Sequence, residues 1–267
     1  MTVADLLAAS GLRRTEARAL LAMVLEQRRE MLIAFDERSV SAADAVRFER
    51  LAARRRAGEP LAYLLGEQEF YGRPFAVTRD VLIPRPETEL LVEVVLQRMR
   101  DTDRPRLLDL GTGSGNIALT LACERPDAKI LAVDVSETAL KLARLNAERL
   151  GARVEFALGS WFDSVAGEFD AIVANPPYVA DSDPHLEELR HEPPEALRAG
   201  ADGLSCLRPI IAGAPAHLAQ GGWLMVEHGH DQATAVRDLC GAAGLTSIAS
   251  ARDLAGIERV TVGTKNN

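Results

Sequence analysis

Aromatic side chains are scarce in this 267-residue sequence: seven Phe, three Tyr and two Trp, 4% of the chain. A core built on so few rings must rest on Leu, Val, Ile and Ala. Rings set among polar or Pro residues are therefore expected to stack on ligands, as in Phe70, Tyr71, Phe75, Trp161, Phe162 and Tyr178. Cysteine is rarer still, three residues with no C-x-x-C pair, which excludes a disulfide framework and argues against a zinc site. Cys123, Cys206 and Cys240 read as small apolar residues of core helices. No apolar run reaches the roughly 18 residues of a membrane span. The start Met1-Thr2-Val3-Ala4-Asp5 has no basic, apolar leader pattern, so a cytoplasmic protein is expected. Basic charge is also in deficit, with a net charge of -8 and a pI near 5.3, against what a groove for duplex DNA requires.

What is present is 47% hydrophobic and 26% charged residues, the composition of a globular chain long enough for a large domain and a small one. The first sixty residues hold eleven Arg and nine acids, so the acidic excess belongs to the remainder. Between Val3 and Ala57 apolar residues recur at helical spacing with one Gly and no Pro, which predicts three or four helices over 1–57. Ser41 with Asp44 three residues on marks a helix start, and Arg54-Arg55-Arg56 reads as a solvated helix end beside the negative pole. Gly58-Glu59-Pro60 breaks this pattern. Residues 58–84 read as a linking β-hairpin, with strands around Tyr71-Gly72, ahead of Ile83-Pro84-Arg85-Pro86. Pro86 suits the first turn of a helix from about 87 to 100.

From Arg106 onward short apolar runs alternate with helical segments. Strands are expected at 106–110, 129–134, 153–157, 169–174 and 222–227, with helices near 115–124, 136–150, 204–219 and 231–243. Two closing runs, 247–251 and 259–263, have no helix between them and predict an antiparallel pair. Residues 85–267 thus read as an α/β domain with a doubly wound, Rossmann-like, seven-stranded sheet.

Three constellations in this domain point to chemistry. The first strand runs into Asp109-Leu110-Gly111-Thr112-Gly113-Ser114-Gly115, glycines that let the backbone turn tightly and approach a ligand. The turn lacks the Gly-Lys-Ser/Thr ending of a P-loop, and its G-x-G-x-G spacing differs from that of dinucleotide binders. The second strand ends in Asp134, 23 residues after Gly111, where an acid can accept both hydroxyls of a ribose; a helix N-cap is the alternative, for which Ser136 is equally suited. The fourth strand ends in Asn175-Pro176-Pro177-Tyr178. Two prolines fix an extended backbone and leave carbonyl acceptors, Asn175 adds a side-chain acceptor, and Tyr178 adds a face for stacking. Such a cluster suits a planar NH2 donor. Asn175 Oδ1 and the Pro176 carbonyl can hold its two N–H bonds and stabilise charge as the nitrogen is alkylated.

The glycine turn resembles motif I of class I S-adenosylmethionine-dependent methyltransferases, and Asn-Pro-Pro-Tyr resembles the motif of amino- and amide-methylating members. Together with Ile83-Pro84-Arg85-Pro86-Glu87-Thr88-Glu89, Glu69-Phe70-Tyr71, Asp183-Pro184-His185-Leu186, Glu227-His228-Gly229 and Glu258-Arg259-Val260, the sequence resembles the HemK/PrmC-type protein-(glutamine-N5) methyltransferases over nearly its whole length. The resemblance implies transfer of a methyl group from S-adenosylmethionine, leaving S-adenosylhomocysteine, to the glutamine of the Gly-Gly-Gln loop of class-1 peptide chain release factors, modulating translation termination. It implies that Gly111, Thr112, Gly113, Ser114, Gly115 and Asp134 hold the cofactor, that Trp161 flanks the adenine, and that Asn175, Pro176, Pro177 and Tyr178 bind the glutamine, with Asn175 also beside the cofactor. It implies a substrate-docking role for the helical domain and hairpin, and no membrane, metal or DNA partner. Ser160 stands where the family often has an acid, and the segment after His185 is shorter than the common form. Glu227 and His228, ending a buried strand, read as structural. The competing readings are a ribosomal-protein glutamine methyltransferase, a nucleic-acid amino-methyltransferase and a cofactor-binding module without turnover.

Overall fold

The computed structural model describes residues 1–266 and divides into two compact units, Met1–Gln68 and Glu69–Asn267. The first contains α1 (Val3–Ala9), α2 (Arg14–Val24), α3 (Arg29–Ala34), α4 (Ala42–Arg56) and α5 (Leu61–Leu65). Thr2 caps α1 reciprocally with Asp5, and Ser41 Oγ accepts from Asp44 N–H at 3.1 Å to start α4. Leu20, Leu21, Phe48 and Ala52 are fully buried between α2 and α4. Helix count exceeds the three or four expected because α3 and α5 are too short to show a period of their own.

The arginine run of α4 departs from the sequence reading. Arg54 makes a two-pronged pair with Glu59 at 2.6 and 2.7 Å, Arg55 binds Glu16 at 3.0 Å, and Arg56 binds Glu49 and the Ser10 carbonyl, each at 2.6 Å. These cations are tied to acids of their own unit, two of them distant in sequence, and the Glu16 side chain is only 9% exposed. They form an internal network and are not a solvated helix end.

The second unit opens on a hairpin of β1 (Glu67–Phe70) and β2 (Arg73–Ala76), whose turn places both Tyr71 and Gly72 at positive φ, the twist that two-residue hairpins favour. The Tyr71 N–H donates to Glu89 Oε1 at 2.7 Å, which helps hold an unusual conformation for a non-glycine residue. Part of the stretch read as a hairpin is therefore helix α5. Pro86 begins a 3-10 turn over Pro86–Thr88, and α6 (Glu89–Arg98) follows.

The main sheet is built from β3 (Arg106–Leu110), β4 (Lys129–Asp134), β5 (Glu155–Leu158), β6 (Phe169–Ala174), β7 (Leu218–Glu227), β8 (Thr246–Arg252) and β9 (Glu258–Thr264). Between them lie α7 (Asn116–Glu124), α8 (Glu137–Leu150), α9 (Leu207–His217) and α10 (Ala233–Ala242). Strand order is β5-β4-β3-β6-β7-β9-β8, parallel up to β7, with β9 antiparallel to both β7 and β8. Alternate residues of each strand feed two cores. Leu107, Ala132 and Val173 pack with α6, α7 and the hairpin, while Leu108, Val133 and Ile172 pack with the α9 and α10 side. The chain leaves β3 toward β4 and returns to β6 on the other side of β3. The carboxyl ends of these strands therefore border a crevice at a topological switch point, where open α/β sheets bind ligands.

Most of the conspicuous rings serve these cores. Phe70 and Phe75 meet edge to face at 6.0 Å, both buried, and Phe162 stacks on His217 at 4.6 Å. Of the six rings expected to stack on ligands, Trp161 alone borders the cavity described below. Cys240 is buried in α10 as expected, whereas Cys206, just before α9, stands at the cavity wall.

Candidate active site

A cavity of about 510 Å³ opens at the carboxyl ends of β3, β4 and β6. Gly111, Thr112, Gly113, Ser114, Asp134, Trp161, Asn175 and Pro177 border it, joined by Pro84, Arg85 and Thr88 from one side and by Pro193, Glu195 and Ala196 from another. Three residues singled out in the sequence lie outside that wall. Gly115, at φ +83, caps α7, and a Cβ there would meet Leu119 at 2.8 Å and Ala143 at 3.2 Å, so it lets α7 and α8 pack closely. Pro176 is buried. Tyr178 packs against the α9–α10 core with its hydroxyl 3.4 Å from Glu227 Oε1.

The glycine turn is held from below. Asp109 is fully buried, and its Oδ2 accepts from the Thr112 hydroxyl at 2.7 Å. Asn146, buried in α8, donates to the Ser114 carbonyl at 2.9 Å and exchanges two further bonds with Ala76 of the hairpin. Asp134 closes the turn: Oδ2 accepts from Gly113 N–H and Oδ1 from Ser136 N–H, both at 2.8 Å. Ser136 Oγ caps α8 at Ala139 N–H, so Asp134 is not the cap. Burial raises the Asp134 pKa, and its bonds to backbone N–H groups oppose that shift. Each carboxylate oxygen retains a lone pair for a hydroxyl donor.

Burial pushes Asp109 up to about 7 from an ordinary 3.8. Between those values the folded chain keeps a proton that the unfolded chain releases, so this group makes stability fall as pH rises through that interval and level off above it. Urea unfolding at pH 5 and pH 8 is expected to show a loss larger in the wild type than in Asp109→Asn by on the order of 2–4 kcal/mol. Equal losses in the two proteins would refute a proton on Asp109.

Asn175 follows β6 directly. Its Nδ2 donates to Thr88 Oγ1 at 3.0 Å, while its buried Oδ1 has no partner within the described residues. Behind the loop, Gln232 Nε2 donates to the Tyr178 carbonyl at 3.0 Å, and Val179 pairs with Arg198 through bonds to Leu197 and Ala199. Glu192 accepts from the Ile83 N–H at 3.0 Å and pairs with Arg85, tying the segment after His185 to the stretch before α6. Glu227, 1% exposed, is pushed up to about 7 by burial, and burial also raises Tyr178. His228 turns away from the cavity: Nδ1–H donates to the Gly229 carbonyl and Nε2 accepts from Thr261, each at 2.9 Å, while burial lowers its pKa.

Thr88, Asn146, Glu192 and Gln232 were not singled out in the sequence. Asn146 left a trace, one amide within the buried face of α8 formed by Ala139, Leu142, Ala143 and Ala147. Thr88 lay inside a quoted motif, with nothing to mark it as the partner of a residue 87 positions away.

A glycine turn after β3, an acid ending β4 and an Asn-Pro-Pro-Tyr turn after β6, on a seven-stranded sheet with this strand order, define a methyltransferase. Comparison with known proteins agrees. Residues 86–202 match the methyltransferase small domain, and residues 2–66 match the PrmC N-terminal domain. The release factor glutamine methyltransferase of Neisseria gonorrhoeae is 50% identical over 268 residues, 98% of this chain and 97% of the relative. That of Bordetella pertussis is 51% identical over 263 residues, 97% of each chain. The chain belongs to the release factor glutamine methyltransferase family. Among solved structures, the T. thermophilus 16S rRNA N2 G1207 methyltransferase, in complex with AdoMet and guanosine, is similar with a TM-score of 0.57 at 17% identity, over 75% of this chain and 50% of that one. A Pyrococcus furiosus methyltransferase gives 0.55 at 18%, over 80% and 98%. Both show the same fold. No helix among the described residues is long and apolar enough to cross a membrane.

Proposed function

We propose that this chain methylates the side-chain amide nitrogen of the glutamine in the Gly-Gly-Gln loop of class-1 release factors, with S-adenosylmethionine as donor, in the cytosol. The observation that carries the reading is Asn175, an acceptor fixed by Thr88 whose Oδ1 lacks any protein partner at the wall of the cavity. A buried carbonyl left without a donor is costly, and a substrate N–H would relieve that cost.

The residues present fit the cofactor. Gly111, Gly113 and Ser114 line a turn close to the cavity, Asp134 retains acceptor capacity beside it, and Trp161 lies 3.5 Å from where a Cβ on Gly111 would stand. When bound, the cofactor supplies an electrophilic methyl group on a sulfonium. Asn175 Oδ1 and the Pro176 carbonyl accept the two N–H bonds of the glutamine amide and orient its nitrogen, whose lone pair is otherwise delocalised. The same acceptors stabilise the positive charge that grows there. The methylated nitrogen is strongly acidic and loses a proton to water, so no strong base is required. Tyr178 supports the loop through its bond to Glu227, and Pro177 supplies wall.

The test is incubation of purified chain with a release factor and methyl-labelled cofactor. Label is expected on the loop glutamine and absent when that residue is replaced by one without an amide. No transfer to the natural release factor, or equal transfer to the replaced one, would overturn the assignment.

A further inference from the structure

Behind Asn175 the polar groups form a buried chain that the mechanism has not used. Thr88 and Glu227 are 0% and 1% exposed. Thr88 Oγ1 accepts from Asn175 Nδ2 at 3.0 Å, and its hydroxyl lies in hydrogen-bonding contact with the Glu227 carboxylate. The Tyr178 hydroxyl reaches the same carboxylate at 3.4 Å. Thr88 has one proton to give, so the chain can run in two directions. In the first, Thr88 donates to Glu227 and accepts from Asn175, which leaves the Asn175 carbonyl for the substrate. In the second, Thr88 donates to the Asn175 carbonyl, and the amide NH2 takes the place of that carbonyl. Only the first can receive a substrate N–H; the second sets donor against donor.

An ionised carboxylate accepts and cannot donate, so Glu227 selects the first direction. Its Oε2 has no other partner, and no lysine, arginine or histidine forms a salt bridge with it among the described residues, so the two hydroxyls are its hydrogen-bond donors. We propose that Glu227 is a positioning residue which, through the Thr88 hydroxyl, fixes which end of the Asn175 amide faces the substrate nitrogen. The inference rests on the reading of Asn175 as the acceptor for the glutamine amide.

Three variants test it. Thr88→Val keeps shape and removes the relay. Glu227→Gln keeps shape and adds a donor that can reverse the relay. Thr88→Ser restores the hydroxyl. Both Val and Gln variants are expected to lower kcat by about 100-fold, with KM for release factor and cofactor affinity within about threefold of wild type, since the lost interaction acts at the transition state. Thr88→Ser is expected to recover most of kcat. Wild-type kcat in Thr88→Val overturns the proposal, as does a fall in cofactor affinity matching the fall in kcat, which would mark a merely structural role. If Glu227→Gln fails to fold, the Val and Ser pair still decides. Asn175→Ala separates the two layers. If it is inactive while Thr88→Val retains kcat, the relay alone fails; if it retains kcat, the acceptor reading fails with it.

Discussion

Asn175→Ala is expected to lower turnover by on the order of 10²–10³-fold while cofactor affinity stays within about threefold of wild type. The side chain stands at the end of β6 with one amide hydrogen given to Thr88 and its carbonyl oxygen unpartnered, so truncation removes an acceptor without exposing the glycine turn or Asp134. A preorganised acceptor facing a nitrogen that gains positive charge contributes more in the transition state than in the ground state, so kcat should carry the loss. Thr88 Oγ1 also loses its donor, but a water admitted by the truncated side chain can replace it, and melting should shift by only a few degrees. Single-turnover label transfer and calorimetric titration of cofactor measure the two quantities separately. A variant with near-wild-type turnover would remove Asn175 from the chemistry.

For Asp134→Ala the expected loss falls on the other side of the reaction. Its carboxylate braces the glycine turn through Gly113 N–H and the start of α8 through Ser136 N–H, and in the proposed reading its remaining lone pairs take the ribose hydroxyls. Removing it takes away two charge-assisted bonds to ligand and leaves two backbone donors without partners. Cofactor affinity is expected to fall by about 100-fold or more, by titration calorimetry. Asp134→Asn should be nearly as damaging, because one amide position must then face a backbone N–H that it cannot accept. Unchanged affinity in both variants would place the ribose elsewhere.

The contrast between these residues and their supports shows what sequence spacing can convey. Strands β3, β4 and β6 coincide residue for residue with the apolar runs read from the chain, because central parallel strands are buried on both faces and end at Gly, Asp and Asn. Glycine turn, terminal acid and Asn-Pro-Pro-Tyr were legible for the same reason: each is a local pattern at a strand end. β7 begins four residues earlier than expected because Gly221 and Gly222 interrupt its apolar pattern while the strand continues through an irregularity. The supporting groups gave no comparable signal. Thr88, Asn146, Glu192 and Gln232 act on partners more than thirty positions away, and their roles emerge only once the fold brings the segments together. Arginines 54 to 56 illustrate the same limit for charge. A local run suggested solvent, whereas acids from other segments neutralise it. The aromatics were misread for the opposite reason: with so few rings, the hairpin needed Phe70 and Phe75 for its own core.

The place of β9 bears on the order in which this molecule becomes complete during synthesis. It is the last strand made, yet it lies between β7 and β8 and supplies hydrogen bonds to both. Until residues 258–264 emerge, β7 is an open edge, and β8 has no place in the sheet. Glu227 pairs with Val260, and the His228 N–H donates to the Arg259 carbonyl, so the wall behind Asn175 is closed by the final strand. A nascent chain can therefore form the glycine turn and the helical unit while the substrate side is still unsealed. The sheet acts as a built-in delay: the half that would hold the methyl donor can be assembled before the half that would present an acceptor to the glutamine.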